Sequence, residues 1–349
     1  MQRTSASPAA GAAERRVFSA CRRHQRGMAV ISALLIVTAV ALLITGLFQR
    51  QAASVRAVEN EQARIQARWL LQGGLDWARL VLRDDARRNS TTRLDTLWAT
   101  PVEDTRIQRP GDDRIAVFSG RIEDEQGKFN LRNLASAGIP QPVEVAAFQR
   151  LCAILGLPGS LAPQVALRVA SAQSSPSRGG ESGADGAGSL AGAGGSTGSL
   201  SSGSDSAGQG PTAPMIRGVD DLRGLTDVDD AVIDKLRPFV TVLPGITAVN
   251  ANTASAEVLA AAVPGLSLSQ ARALTERRNA GAYFNDRADF GNRLANPDIQ
   301  LTDTQIVTVS KWFSVNGTVT LERAAVTMQA LISRENATTP SVVWKRETN

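Results

Sequence analysis

Few residues in this sequence could take part in catalysis. The one histidine, His24, and one of the two cysteines, Cys21, lie in an arginine-rich segment just before an apolar run. A Ser/His/Asp or Cys/His unit needs a histidine within reach of its nucleophile, and no CxxC, HExxH or GxxxxGKS/T motif is present. Cys152 lies in the apolar stretch FQRLCAILGL and is predicted to be a small buried core residue. The sequence therefore predicts no catalytic residues and argues against an enzyme.

Carboxylates form two short clusters. Asp227, Asp229 and Asp230 lie at the start of a predicted helix, where the helix dipole favours negative charge, so we expect a helix cap there rather than a metal site. Glu123–Glu125 follow a predicted strand and fit a solvated strand end with a capped turn. The sequence leaves the metal state unknown.

The positive charge of the chain is concentrated at its N-terminus. The formal net charge is +5, and residues 1–27 contain six arginines and one acid, Glu14. The remainder is close to neutral, so the basic isoelectric point is no argument for nucleic-acid binding.

The apolar run Met28–Gln49 contains no charged residue and organises the rest of the chain. It would form about 30 Å of helix, enough to cross a bilayer core. The basic flank predicts that the N-terminus stays cytoplasmic and that everything after Phe48 faces the other compartment. A plain signal anchor is one interpretation. A cleaved secretory signal peptide is another, although the run is long for that purpose and no clear A-x-A-like site follows it.

A third interpretation depends on Gly27, which separates the basic leader from the apolar run. A basic leader, a glycine at the edge of the run and then Met28 resemble the type III signal of type IV pilins and type II secretion pseudopilins. The resemblance implies that a prepilin peptidase cuts the Gly27–Met28 bond and methylates the new N-terminus. Most members carry Glu at the fifth mature position, where this chain has Ser32. Lack of that glutamate is typical of the K-type minor pseudopilin, which sits at the tip.

The helical pattern continues beyond the membrane run to about Arg88. Val55, Val58, Ile65 and Trp69 fall at helical spacing and form one apolar stripe beside a face rich in arginine. We expect this stripe to be the packing face of the helix. A rod of about sixty residues, about 90 Å long, with one half in the membrane and the other packed on a sheet, is the pilin design.

Strands are predicted on both sides of a long helical block. Residues at about 113–123 read as a strand, after a polar and turn-rich stretch over 89–112. Further strands are predicted at about 305–346, with a hairpin turn at Asn316-Gly317. Strands separated in this way can share one antiparallel sheet if the helical block is an insertion.

The resemblance to K-type pseudopilins is most specific around the first of these strands. The motif EDEQGKFNLRNL occupies residues 123–134, and we expect Asn130 and Asn133 to cap the next helix. The preceding helix ends in a G-x-x-W-A-like element formed by Gly74, Trp77 and Ala78.

A helix-hairpin-helix pattern lies late in the predicted insertion. Asn252–Ser255 precede a helix, Val263–Ser267 form the hairpin, and a second helix follows. In DNA-binding examples backbone N–H groups of a G-x-G hairpin and nearby basic residues hold phosphate. Here Ser267 replaces the second glycine, and acids dilute the nearby arginines. The same unit is found inserted in K-type pseudopilins, so we favour an interaction domain over DNA binding.

A Gly/Ser-rich segment over 173–214 is predicted to be a disordered loop, because it cannot bury enough apolar surface to fold. It interrupts the region where the family usually carries an Asp-rich segment linked to calcium. Glu181 and Asp185 are only fragments of that pattern, so no cofactor is predicted and calcium rests on the resemblance alone.

These observations predict an α+β fold in which a long N-terminal helix packs on a small antiparallel, pilin-like sheet, with a large all-α domain inserted between strands. The expected divisions are a cleaved basic leader at 1–27, a transmembrane helix at 28–49, its amphipathic continuation at 50–88, the sheet at 89–130 and 302–349, and the inserted domain at 131–301.

The resemblance implies a minor pseudopilin at the tip of the type II secretion pseudopilus, which starts assembly and supports export of folded proteins. The implied partners are the I- and J-type minor pseudopilins, the prepilin peptidase and the inner-membrane secretion platform, with no nucleic acid. The implied location is the inner membrane of a Gram-negative bacterium, as a single-pass protein with a periplasmic C-terminal domain. The alternatives are a membrane-anchored DNA-uptake receptor and a plain anchored periplasmic scaffold.

Overall fold

The computed structural model describes residues 18–108, 111, 113–174, 211–296, 299–336 and 338–348. Its contacts divide the chain into two units, Met1–Gln66 and Ala67–Asn349. The α-helices in the described residues are α1 Phe18–Arg88, α2 Pro142–Ile154, α3 Leu161–Ser171, α4 Asp230–Leu236, α5 Ala256–Ala262, α6 Leu268–Asn279 and α7 Arg287–Asn292. Short 3-10 helices cover Leu97–Ala99, Glu125–Gly127, Leu131–Leu134 and Val219–Gly224.

The strands in the described residues are β1 Val102–Gln108, β2 Ile115–Asp124, β3 Phe129–Asn130, β4 Ala135–Ser136, β5 Ile139–Pro140, β6 Val240–Thr241, β7 Val249–Asn250, β8 Ile306–Val307, β9 Trp312–Leu321, β10 Ala324–Ser333 and β11 Ser341–Thr348. The principal sheet has five antiparallel strands in the order β1-β2-β9-β10-β11. A polar, turn-rich stretch thus forms the edge strand β1, which the sequence did not predict.

The N-terminal unit contains the first part of α1. Every residue from Met28 to Gln49 is exposed along this helix. Among the described residues, α1 is the one helix that is long and apolar enough to cross a membrane. An apolar surface of this extent is compatible with lipid rather than water as its surroundings.

In the larger unit, the second part of α1 packs closely on the sheet. Glycines make the approach possible: a Cβ built on Gly74 would lie 2.7 Å from the Phe118 ring, and one on Gly317 would lie 3.2 Å from Leu71. Gly317 pairs with Gly120 in the neighbouring strand β2, so two adjacent positions of the sheet carry no side chain.

The predicted hairpin turn at Asn316-Gly317 is wrong. Both residues lie in the middle of β9 and pair with residues of β2 and β10. The chain reverses five residues later, where Leu321 pairs with Ala324 and Glu322 has a positive φ of 54°. Gly317 is needed for close packing against α1 rather than for a turn, so a local turn signal was misleading.

Between β2 and β9 the described chain forms helices α2–α7 and three two-residue strand pairs. The pairs β3–β6 and β7–β8 are parallel, and β4–β5 is antiparallel. The block is therefore mainly helical rather than entirely helical. Its core includes Phe129, Phe148 and Phe290. Cys152 is fully buried there, which confirms the prediction. Residues 175–210, most of the predicted disordered loop, lie outside the described residues.

Candidate functional site

A buried cluster of polar side chains joins the sheet to the inserted helical block. This polar junction consists of Asp124, Gln126, Asn250, Thr253 and Ser310. The carboxylate oxygen Oδ2 of Asp124 accepts hydrogen bonds from Ser310 Oγ at 2.5 Å, Thr253 Oγ1 at 2.6 Å and Asn250 Nδ2 at 3.1 Å. Its Oδ1 accepts one from the backbone N–H of Gln126 at 2.9 Å. Four donors from three parts of the chain thus meet at one carboxylate.

Other polar side chains of the motif at residues 123–134 form hydrogen bonds with the backbone of the inserted block. Gln126 Nε2 donates to Ala248 O at 3.1 Å, and its Oε1 accepts from Lys311 N at 2.6 Å. Asn133 accepts from and donates to the backbone of Thr247. Asn130 caps a 3-10 helix as predicted, since it accepts from Arg132 N, whereas Asn133 caps no helix.

A buried ion pair continues the junction to α1. Arg334 Nη1 lies 2.8 Å from Asp85 Oδ2, and both side chains are almost fully buried. Arg334 Nη2 also donates to Thr92 Oγ1 at 2.7 Å and Ser310 O at 2.9 Å. The guanidinium lies 4.5 Å from the centre of the Phe313 ring. The helix, the sheet and the inserted block are therefore held by one connected set of polar contacts.

The expected capped turn at Glu123–Glu125 is present, since Asp124 caps the 3-10 helix Glu125–Gly127, but the expected solvated strand end is wrong. Asp124 and Glu125 are buried, because the inserted block covers this end of β2. Burial raises the pKa of Asp124, and its hydrogen bonds to Ser310, Thr253, Gln126 and Asn250 oppose that increase. Glu125 accepts hydrogen bonds from Lys128 and from Thr241, so its charge is partnered.

Calcium does not fit the carboxylates that the structure describes. No group of three or more His, Cys, Asp or Glu side chains within the described ranges could hold a metal ion. Asp229 accepts a hydrogen bond from Val232 N at 2.8 Å and caps α4, which confirms the predicted cap. Glu123 and Glu125 both pair with Lys128. Glu181 and Asp185, the acids in the Gly/Ser segment, lie outside the described residues.

Helices α5 and α6 form the predicted hairpin, in which Arg272 and Arg277 are exposed and several other polar groups form internal contacts. Gly265 has a φ of +83° in the turn, and Ser267 forms a capping box with Gln270 at the start of α6. Arg278 is buried and donates to Ala251 O at 2.9 Å and Ala254 O at 2.6 Å. Burial lowers the pKa of Arg278 to about 10. This arginine holds the hairpin together and is not exposed to a phosphate backbone.

The predicted packing stripe is exposed. The side chains of Val55, Val58 and Ile65 are 55%, 56% and 44% exposed, and Trp69 is 72% exposed. The buried positions on the part of α1 in the larger unit include Ala67, Leu71, Leu75, Ala78, Val81 and Leu82. Small residues and leucines occupy this face because the glycine-lined sheet comes too close for a tryptophan.

The residues predicted for processing and tip placement lie along the N-terminal part of α1. Gly27 falls inside the bounds of the helix, and Met28 is exposed. Ser32 Oγ donates to Ala29 O at 3.0 Å, one helical turn earlier. These residues precede those of the polar junction in the sequence. The polar junction was not predicted as a site from the sequence.

The fold defines a class of protein: a long helix with an apolar, exposed first part is followed by an antiparallel sheet, which is interrupted by a helical insertion. This is the architecture of a pilin-like subunit with an inserted domain. It is similar to a solved chain in the crystal structure of the GspK-GspI-GspJ complex from the type 2 secretion system of enterotoxigenic Escherichia coli. That match has a TM-score of 0.60 and 18% identity, and covers 84% of this chain and 99% of the other.

Sequence comparisons make the assignment specific. The family models described as type II secretion system (T2SS), protein K match residues 127–245 and 249–310. The type II secretion system protein K of Pseudomonas aeruginosa is 30% identical over 309 residues, which cover 86% of each chain. The protein K of Klebsiella pneumoniae is 27% identical over 336 residues, covering 90% of this chain and 94% of the other. The chain belongs to the type II secretion system protein K family. It is therefore a minor pseudopilin, a structural component rather than an enzyme.

Proposed function

We propose that this minor pseudopilin occupies the tip of the pseudopilus, starts its assembly and supports export of folded proteins across the outer membrane. The observation that carries the tip placement is Ser32. The fifth residue after Gly27 is uncharged, and its hydroxyl is already bonded to Ala29 O. A carboxylate within a bilayer is costly and needs a partner. A serine with a satisfied hydroxyl needs none, so this subunit has no requirement for another subunit ahead of it.

The inserted block adds a second argument for a terminal position. It occupies the chain between β2, which ends at Asp124, and β9, which begins at Trp312, and has its own hydrophobic core. A body of this size would obstruct another subunit from adding above it.

The I- and J-type minor pseudopilins are the proposed partners at the tip. The similar solved chain was crystallised in a complex named for K, I and J components, and we extend that assembly to this chain. The exposed stripe Val55, Val58, Ile65 and Trp69 is the proposed packing face. Because these apolar side chains are exposed, a neighbouring subunit would remove them from water.

Membrane insertion and processing complete the proposal. Residues 28–49 would anchor the chain in the inner membrane, with the C-terminal part in the periplasm, before assembly by the inner-membrane secretion platform. The prepilin peptidase would cut the Gly27–Met28 bond. We expect intact-mass measurement and N-terminal sequencing from native membranes to find a methylated Met28. Gly27→Leu should leave the leader attached, whereas an intact leader on the unaltered protein in a strain with active peptidase would reject the processing step.

The tip placement is tested by giving Ser32 the charge that shaft subunits carry. We expect Ser32→Glu to insert into the membrane and to raise the number of copies per filament, as counted by quantitative mass spectrometry against the major pseudopilin. Ser32→Ala is the matched control, because it removes the hydroxyl without adding charge and should leave the count unchanged. If Ser32→Glu changed neither filament length, nor initiation, nor copy number, the argument from Ser32 would fail.

A further inference from the structure

An open pocket of about 170 Å³ lies on the sheet face opposite α1. Ser314, Leu331 and Trp344 form a cross-strand row on three neighbouring strands, β9 to β11, and line its floor. Side chains alternate between the two faces of a strand, so Ser314 faces away from Gly317, which contacts α1. The inserted block supplies the other wall, including Arg217 and the strand β6.

Cations outnumber acids around this pocket. Four basic residues line it, and only two acids do, Glu125 and Asp220. Lys128 is paired with Glu125 at 3.0 Å, and Arg237 is paired with Asp220 at 3.0 Å. The two acids are therefore already paired, and no acid that lines the pocket balances the positive charge of the other two arginines.

Those two arginines, Arg217 and Arg346, are exposed and form no ion pair with a described carboxylate. They come from different parts of the chain: Arg217 belongs to the inserted block and Arg346 to the edge strand β11. The Arg346 guanidinium lies 4.7 Å from the centre of the Trp344 ring. This stacking orients a cation while its N–H groups remain free to donate to an anion.

Ser314 lies at the base of the pocket and is 3% exposed. Its Oγ is enclosed without a hydrogen-bond partner among the described residues, so a ligand in the pocket cannot reach it. The polar groups that a ligand would meet are therefore those of the two arginines.

We propose that this pocket binds an acidic side chain of a protein partner, with Arg217 and Arg346 holding the carboxylate. The apolar part of the ligand would pack against Leu331 and Trp344. The strand β11 is an edge of the sheet, so an extended peptide can approach along its unpaired side. A peptide segment satisfies both features, because it supplies a backbone for the edge and a carboxylate for the pocket.

The test is calorimetric titration of the detergent-solubilised full chain with acetyl-tetraglutamate-amide and, separately, acetyl-tetraglutamine-amide. We expect the glutamate peptide to bind at least about tenfold more tightly, since hydrogen bonds to charged groups are lost with glutamine. Combining Arg217→Gln with Arg346→Gln should remove that preference. Arg323→Gln is the matched control, because Arg323 is an exposed arginine in the β9–β10 turn that does not line the pocket.

One further measurement keeps the proposal falsifiable even if the double variant folds poorly. On the unaltered protein, inorganic phosphate at the same concentration should not displace the glutamate peptide. Equal affinity for the two peptides would overturn the proposal, and so would full displacement by phosphate, which would indicate a site for small anions. None of these results depends on where the subunit sits in the filament.

Discussion

Replacing Asp124 by alanine would remove the acceptor at the centre of the polar junction. Four donors now meet at this carboxylate: the backbone N–H of Gln126 and the side chains of Asn250, Thr253 and Ser310. Alanine can accept none of these hydrogen bonds. The donors come from the sheet end, the inserted block and the segment before β9, so the substitution loosens the connection between them.

The size of the effect follows from the number of donors that lose their acceptor. A buried polar group left unsatisfied costs about 1–3 kcal/mol. The hydroxyls of Thr253 and Ser310 can rotate towards other acceptors, so we use the lower end of that range. Four donors then give a loss of about 4 kcal/mol in the free energy of unfolding. In a domain of this size, that loss lowers the melting temperature by about 8–16 °C.

The assay is thermal unfolding of the detergent-solubilised full chain, followed by tryptophan fluorescence. Trp98 and Trp312 are buried in the larger unit, so their emission reports its loss of packing. Asp113→Ala is the matched control, because Asp113 is exposed just before β2. Its effect should stay within about 0.5 kcal/mol, as for most surface substitutions.

The reasoning would be refuted if Asp124→Ala melted at the same temperature as Asp113→Ala. Such a result would mean that water or rearranged side chains satisfy all four donors at little cost. The junction would then be a set of contacts that contributes little to holding the inserted block in place.

Three further predictions test the packing and electrostatics of the larger unit. Burial raises the pKa of Asp124 in the folded protein. The stability that the protonated carboxyl contributes is therefore present in acid and is lost as the pH rises through that raised pKa. Asp124→Asn should remove this pH dependence from melting curves recorded across pH. Gly73→Ala should stabilise α1 by up to about 1 kcal/mol, whereas Gly74→Ala should lose that gain because its Cβ would meet Phe118 at 2.7 Å; thermal melts compare the pair. Arg334→Met leaves a buried carboxylate unpaired and should cost about 3–5 kcal/mol in urea unfolding.

Elements with strong local signals could be predicted from the sequence. The uncharged run from Met28 predicts a long apolar helix, and the alternation near Ile115 predicts the strand β2, because each pattern depends on residues close together in the chain. The capped helix at Asp229 follows from the same kind of local information. These elements were sufficient to indicate an α+β fold with an insertion.

The polar junction could not be predicted in this way because its partners are far apart in sequence. Asp124 bonds to Asn250 across 126 positions and to Ser310 across 186 positions. Nothing in the motif around Asp124 distinguishes a buried acid from a solvated one. The distinction is made only when the inserted block folds over the strand end.

The buried face of α1 could not be predicted for a different reason. Trp69 and Leu71 belong to two stripes that both have helical periodicity, and hydrophobicity alone favours the stripe with the larger side chains. The choice is decided by the sheet, where Gly317 and Gly120 allow a close approach that suits leucine and alanine. The Asn316-Gly317 turn prediction fails for the same reason, since that glycine serves packing.

The most direct test of the account is the position of this subunit on assembled pseudopili. An antibody fragment against the inserted block, carried on gold and viewed by electron microscopy, should label each filament once, at one end only. The Ser32→Ala protein should give the same pattern. Labels distributed along the shaft of filaments built from the unaltered protein would contradict the tip placement and the interpretation of Ser32 on which it rests.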